Sequence, residues 1–374
     1  PELMEKDVDE DVVKDIVEFF GDDLDRLDEE IIEKFKGKDK NVIVKKNYAK
    51  EPKERTFQDF VSVFNIRFKT LRNILTNRQE LQSPTTLRRV KDKDDRSDVE
   101  IIGMVKDKGM SKNDHVILEV EDPTGTVTTI IRKTDEQKEL WEEAKNLVLD
   151  EVIGVTGTWL SGAVFADQIL YPDVPYSKEL KKQKDDEYMV FIGDTHFGSK
   201  HFMEDEWKKF IRWLRGETGN ERQRKLAKKV KYIMFTGDLI EGAGVYPGQD
   251  EDLKVEDIKS QYDEGAYWLK QVPDRIQMVT TTGNHDAGRL AEPQMAPLKE
   301  YAESLYDIPN LTLVSNPATV NVGRKDDFPG FDVLLYHGGS LIYYADNIPK
   351  IRNNGGQKQS GELMKELLKR RHLA

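Results

Sequence analysis

The chain has 374 residues, enough for two or three domains of ordinary size. Its 58 Lys and Arg stand against 70 Asp and Glu, a net charge of -12, which excludes a uniformly basic nucleic-acid coat and leaves any such contact to a local patch. With no cysteine, disulfide scaffolds and thiolate metal sites are excluded and a reducing, cytoplasmic setting is expected; no run reaches the roughly 18 apolar residues of a membrane span. The start at Pro1, followed by acidic residues, shows no secretory signal and reads as the start of a fragment.

Residues 1–40 form an acidic segment with Val12, Val13, Ile16, Phe19 and Phe20, then Leu24, Leu27, Ile31, Ile32 and Phe35 at helical spacing. Gly21-Asp22-Asp23 reads as a stop and a new N-cap. A small helical pair is expected, with a docking module for a partner protein as the alternative. From Lys45 to Arg96 the balance reverses, 14 Lys and Arg against 7 Asp and Glu, leaving +7. Thr56 is the expected N-cap of a helix with Phe57, Phe60, Val61, Phe64, Phe68, Leu71 and Leu75 as its stripe. Arg67, Lys69, Arg72 and Arg78 fall on the opposite side or its edges, on a solvated face or one that steers DNA phosphates. Segment 41–96 is therefore read as a basic helical segment closing in the mixed-charge linker Lys91-Asp92-Lys93-Asp94-Asp95-Arg96.

Residues 97–176 change to short strands: Val99–Val105, His115–Val120, Val127–Arg132, Val152–Thr158 and Val164–Ile169, with a helix over Glu136–Leu147. Five strands with one helix after the third is the order of an OB-fold barrel. Trp159, Phe165 and Tyr171 are expected in its core or rim rather than as stacking platforms. Lys178–Asp186 is a charged linker, after which a strand–loop–helix rhythm fills residues 186–374.

In that last part four apolar strands each run into a polar cluster. Tyr188–Ile192 precedes Gly193-Asp194-Thr195-His196, and Tyr232–Phe235 precedes Thr236-Gly237-Asp238. Ile276–Thr280 precedes Gly283-Asn284-His285-Asp286, and Val333–Tyr336 precedes His337-Gly338. Catalytic groups of α/β folds gather at strand C-terminal ends, so the four clusters are expected on one rim of a sheet. Phosphodiester hydrolysis sets a nucleophile beside an anion that repels it, and two divalent cations overcome that repulsion. Asp194 and His196 are the expected ligands of the first cation, Asp238 the shared carboxylate, and Asn284 and His337 the ligands of the second. Mixed O and N donors without sulfur suit manganese, with iron and zinc as alternatives. His285 is placed to donate a proton to the leaving oxygen or to orient phosphate, and Asp286 to fix its tautomer or to anchor the site from behind.

This motif set resembles the calcineurin-like metallophosphoesterase superfamily. The runs Gly193–Lys200, Gly237-Asp238-Leu239-Ile240-Glu241-Gly242, Val245-Tyr246-Pro247-Gly248-Gln249 and Gly283–Arg289 are similar to the small-subunit family of archaeal D-family DNA polymerases. The resemblance implies an α+β multidomain chain: a helical N-terminal region, an OB-fold barrel, and a calcineurin-like α/β sandwich. It further implies a two-metal 3′→5′ exonuclease for proofreading, a polymerase large subunit as partner, DNA with a single-stranded 3′ end as substrate, and a sliding clamp as a further contact. Tyr246, Gln249 and Arg289, in loops after ligands, are then candidate nucleotide contacts. A non-catalytic scaffold that tethers the polymerase and a small-molecule phosphatase are the competing readings. The superfamily's closing Gly-His-x-His loop has no counterpart, since after His337 only His372 follows. A C-terminal truncation is expected, with two ligands lacking and weak metal affinity in the chain alone.

Overall fold

The computed structural model describes residues 42–49, 54–174, 179–325 and 327–371. The expected helical pair at 1–40 and His372 lie outside the described residues. In chain order the strands are β1 (Val42–Lys46), β2 (Ser97–Met110), β3 (Val116–Asp122), β4 (Gly125–Ile131), β5 (Val152–Leu160), β6 (Ala163–Leu170), β7 (Tyr188–Ile192), β8 (Val230–Phe235), β9 (Gln277–Thr280), β10 (Leu311–Leu313), β11 (Ala318–Val322) and β12 (Phe331–Leu335). The helices used below are α1 (Phe57–Thr76), α2 (Lys138–Lys145), α3 (Glu204–Leu214), α4 (Glu221–Lys229), α5 (Ile258–Leu269), α6 (Lys299–Tyr306), α7 (Leu341–Asn347), α8 (Pro349–Arg352) and α9 (Ser360–Arg370). The chain divides into two compact units, one up to Glu51 with Leu180–Gly339, the other Pro52–Glu179 with Ser340–Ala374.

In the second unit, β2 to β6 close into a barrel of order β2-β3-β4-β6-β5. Alternation explains the closure. Val99, Ile101, Val105, Leu118, Val120, Val155 and Val164 all point into one core, and the long β2 pairs with both β3 and β5. Trp159 and Tyr171 are buried with that core. Helix α1 begins at Thr56 in a reciprocal capping box with Asp59. Its Phe68, Leu71 and Leu75 pack with Leu81, Ile102, Met104, Val152 and Leu170, while Phe57 and Phe60 at its start are exposed.

The expected boundaries placed all of 186–374 in the phosphoesterase part. In the structure α7 to α9 pack instead with Val148 of the barrel unit, through Tyr344, Ile348, Ile351, Leu363 and Leu367. A charge cluster ties the last helix down. The Arg370 guanidinium is 1% exposed, 2.9 Å from Glu151 Oε2, paired with Glu366 and donating to the Asn146 carbonyl. Lys369 pairs with Glu143 at 2.8 Å and sits 3.8 Å over the Tyr171 ring.

The first unit is a sandwich of two sheets. One is parallel, order β10-β9-β8-β7; the other is antiparallel, order β1-β11-β12. Strand β1 was expected inside the basic helical segment. It pairs with β11 because its alternate residues Val42 and Val44 meet Val320, Val322, Tyr232, Met234 and Val279 between the sheets. The other face of the parallel sheet is covered by α3, α5 and α6, whose Trp207, Ile211, Tyr262, Ala266, Trp268, Leu269 and Leu305 pack on Ile233, Phe235 and Met278.

The charge cluster of the barrel unit makes a measurable statement. Arg370→Met leaves a carboxylate buried without its counter-charge and is expected to destabilise the chain by about 3–5 kcal/mol in urea unfolding. Burial, opposed by Arg370 and by the Val148 amide, pushes the Glu151 carboxyl up from 4.5 to about 7. A carboxyl raised on folding adds stability below its unfolded value and loses it as pH climbs through the folded one. Stability is therefore expected to fall from pH 4.5 to about 7, and in Arg370→Met, which lacks the group that lowers the carboxyl, to go on falling at higher pH. Flat profiles in both proteins refute this assignment.

Candidate metal centre

Strands β7, β8 and β9 are parallel neighbours in register, so the segments leaving them emerge on the same rim. His337 arrives differently. It follows β12, which belongs to the antiparallel sheet, so the expectation of four strands on one sheet is corrected to three strands of one sheet and one of the other. A strand's own pattern shows which residues are covered, not which sheet covers them.

The ligand-bearing turns are held in unusual backbone. Asp194, His196 and Asp238 have φ of 53°, 47° and 51°, in the left-handed region that residues other than glycine rarely adopt. Amides of one loop lace them to the other. Asp194 N donates to Gly237 O at 3.3 Å, His196 N to Asp238 O at 3.1 Å and Phe197 N to Leu239 O at 2.9 Å. Two glycines give the side chains room: a Cβ on Gly237 would stand 2.7 Å from His337 Nδ1, and one on Gly283 would overlap Asp238 Oδ1.

Asp238 lies at the middle, 5% exposed. Its Oδ1 accepts the His285 amide at 2.9 Å, and its Oδ2 is 3.4 Å from His337 Nε2 and 3.9 Å from His196 Nε2. Two donor groups share it, each with ligand atoms within 4.8 Å of one another: His196, Asp238 and His285, and Asp194, Asp238 and His337. His196 stands with His285, and Asp194 with His337. Asn284 joins the second group, its Oδ1 2.9 Å from His337 Nε2.

Electrostatics follow from this crowding. Burial would raise the Asp238 carboxyl, but the His337 side chain and the His285 amide outweigh it and hold the carboxyl below its usual value. Burial would lower His337, but Asp238 and the Thr236 carbonyl raise its imidazole to about 9. Asp286 is buried and accepts the amides of Gly283 (2.8 Å), Leu239 (3.3 Å) and Ile240 (3.4 Å). Burial, partly offset by those amides, pushes its carboxyl up to about 6. Asp286 therefore fastens the loops together. It does not reach the His285 ring, whose Nδ1 lies 2.7 Å from the Glu241 carbonyl.

Sequence reasoning passed over Glu241. Its buried carboxylate places Oε2 3.0 Å from His196 Nδ1, close enough for an ion pair but not aligned as a hydrogen bond. Its Oε1 accepts from Tyr246 Oη at 3.2 Å and Gln249 Nε2 at 3.1 Å. The available signal was its spacing: a carboxylate three residues beyond Asp238, in the turn that leaves the same strand. Gln249, expected near a nucleotide, is 2% exposed and spends its amide on Glu241 and on the Val245 N–H. Tyr246 is 39% exposed, and its one hydroxyl hydrogen is shared between Asp252 Oδ2, the nearer acceptor at 2.8 Å, and Glu241. Arg289 donates Nε to the Ala291 carbonyl at 2.7 Å. Oxygen and nitrogen donors in two groups around one carboxylate, without sulfur, suit a pair of divalent cations.

Residues 189–372 match the family of calcineurin-like phosphoesterases. The chain is 39% identical over 316 residues to the DNA polymerase II small subunit of Methanothermobacter thermautotrophicus, covering 84% of this chain and 62% of the relative. It is 39% identical over 332 residues to that of Archaeoglobus fulgidus, covering 89% and 63%. With that of Pyrococcus furiosus it shares 35% over 333 residues, covering 88% and 52%. The chain thus spans between about half and two-thirds of the length of these relatives. Among the described residues no helix is long and apolar enough to cross a membrane.

The shared carboxylate sets the test of this centre. Asp238→Asn is expected to weaken Mn2+ binding to the chain, followed by titration calorimetry, by at least about 10–100-fold, because both groups lose a member at once. Equal affinity in the two proteins rules out Asp238 as the common ligand.

Proposed function

The chain is a homologue of the archaeal DNA polymerase II small subunits and carries a calcineurin-like phosphoesterase domain, and from that premise we propose that it is a 3′→5′ exonuclease subunit that removes mispaired nucleotides for a polymerase large subunit. The observation that carries the reading is the position of Asp238 in both donor groups. In this reading Asp194, His196, Asp238, Asn284 and His337 hold two divalent cations, manganese first among them. When bound, these cations would neutralise the phosphodiester and lower the pKa of an attacking water.

The chain's own residues supply the rest. With Nδ1 donating to the Glu241 carbonyl, the other nitrogen of His285 faces away from that bond; when the ring is an imidazolium that nitrogen also carries a proton, which it gives to the leaving 3′ oxygen, leaving the ring neutral with its lone pair there. That oxygen would otherwise depart as an alkoxide. Asn284 adds a neutral amide oxygen, and with it no further negative charge to repel the substrate. Asp286 keeps the Gly283–Asp286 turn against the Asp238 turn through three amides, which fixes the distance between donor and acceptor residues. The substrate is DNA with a single-stranded 3′ end, and the partners are the large subunit and a sliding clamp.

The test is digestion of a primer with a mispaired 3′ end in Mn2+, by the chain alone and by its complex with the polymerase large subunit. Asn284→Ala and His285→Ala are each expected to reduce digestion by about 10²-fold or more in the complex. Undiminished digestion in either variant overturns the assignment at these residues. A complex that polymerises but never digests marks the chain as a tether instead.

A further inference from the structure

The loop Val245–Asp252 follows the Asp238 turn and carries Tyr246 and Gln249, which the reading above leaves without a role. Gln249 is the informative member. Its side chain is 2% exposed, and each of its polar atoms is spent inside the protein. Nε2 donates to the Glu241 carbonyl at 2.8 Å and to Glu241 Oε1 at 3.1 Å, while Oε1 accepts the Val245 N–H at 2.8 Å. Both amide hydrogens are thereby used, and a side chain this buried presents no donor to a nucleotide. Tyr246 gives its single hydroxyl hydrogen chiefly to Asp252 Oδ2 at 2.8 Å and shares it with the same Glu241 Oε1 at 3.2 Å.

Both Glu241 groups that Gln249 grips face an imidazole. The carbonyl is 2.7 Å from His285 Nδ1, and the carboxylate places its other oxygen 3.0 Å from His196 Nδ1. An imidazole whose Nδ1–H is engaged by an acceptor keeps the opposite nitrogen free as a lone-pair donor, and the direction of that bond sets the ring plane. We propose that Gln249 is a positioning residue, assisted by Tyr246, which clamps Glu241 so that His196 and His285 turn their Nε2 atoms toward Asp238. This deepens the reading of the site as a metal centre and rests on it. The amide fits the task because it supplies two donors to two different oxygens of one residue, which neither a hydroxyl nor a carboxylate can do.

The test uses Gln249→Leu and Tyr246→Phe in the full chain; neither residue is a member of the two groups, and Phe keeps the ring that stands 6.1 Å from that of His285. Three measurements are made: the thermal midpoint, the Nδ1/Nε2 tautomer of His196 and His285 from long-range 1H–15N NMR in metal-free protein, and Mn2+ affinity by calorimetry. The expected result for Gln249→Leu is a folded chain whose two histidines pass from single to mixed tautomers and whose Mn2+ affinity drops about 10–100-fold. Tyr246→Phe is expected to move both readouts the same way by a smaller factor. Gln249→Leu that folds and keeps the wild-type tautomers and affinity overturns the proposal. If that variant does not fold, Tyr246→Phe decides alone, and wild-type tautomers in it overturn the proposal as well. A Gln249→Leu chain that loses affinity for single-stranded DNA in EDTA, with tautomers unchanged, overturns it in favour of a nucleotide contact. Wild-type chain that binds no Mn2+ defeats the metal reading instead, and the tautomer measurement still decides the clamp.

Discussion

Everything at this centre is arranged around one buried carboxylate. Asp238 is surrounded by imidazoles of His196, His285 and His337 from three other loops, and a carboxylate in so enclosed a place survives as an anion only if the donors compensate the lost water. They do: His337 and the His285 amide hold the carboxyl below its ordinary value despite its burial. The same pairing raises His337, so the two groups stabilise each other's charged forms. A charged, buried carboxylate with unsatisfied capacity on both sides attracts cations. A neutral one at this place would leave only a hydrogen-bonded knot.

Such a carboxylate cannot be presented by regular backbone. Asp238, His196 and Asp194 all occupy left-handed conformations, each costing about 1–3 kcal/mol relative to ordinary ones. The strain is offset by the apolar layers on both faces of the parallel sheet, which fix where β7, β8 and β9 end. The antiparallel sheet matters equally, because β12 brings His337 and is itself seated by β11 and β1. A strand more than 140 residues upstream of the first ligand thus shares the core on which the last one depends.

How far the sequence discloses this depends on what each feature is made of. The five barrel strands follow from alternation within short segments, and the parallel strands from apolar runs that end in glycine and acid. The start of α1 follows from Thr56 and Asp59, whose reciprocal bonds are local. Long-range choices were not legible. Val42–Lys46 has a strand's alternation, but its basic flanks and the helix that follows make it read as part of a helical segment. The helices after Ser340 follow the strands of the first unit in sequence, yet their apolar faces and Arg370 pack within the barrel unit, on Val148 and Glu151. At the site, the ligand types were legible because residue chemistry is local. Which imidazole stands with which carboxylate was not, because that depends on the loop conformations at Asp194 and His196. The parts of Glu241 and Gln249 were hidden for a related reason: a carboxylate three residues beyond Asp238 is visible in the sequence, but the histidines beside it are distant, so its contact with them, and the hold of Gln249 on it, are not.

The three imidazoles around Asp238 obey one pattern that explains why those supporting residues exist. Each ring has Nδ1 beside an acceptor: Glu241 Oε2 for His196, the Glu241 carbonyl for His285 and the Thr236 carbonyl for His337. Each therefore has Nε2 left for the centre. Two of the three acceptors are main-chain carbonyls of the turns on either side of Asp238, so the backbone that positions the carboxylate also orients the rings around it. Only His196 relies on a side chain, and that side chain is the one braced by Tyr246 and Gln249. A carbonyl is rigid because the peptide is planar, whereas a glutamate has three rotatable bonds and loses its aim unless something holds it. The extra loop is placed at the residue that serves two of the rings: it braces the flexible carboxylate beside His196 and, through Gln249 Nε2, also holds the carbonyl beside His285.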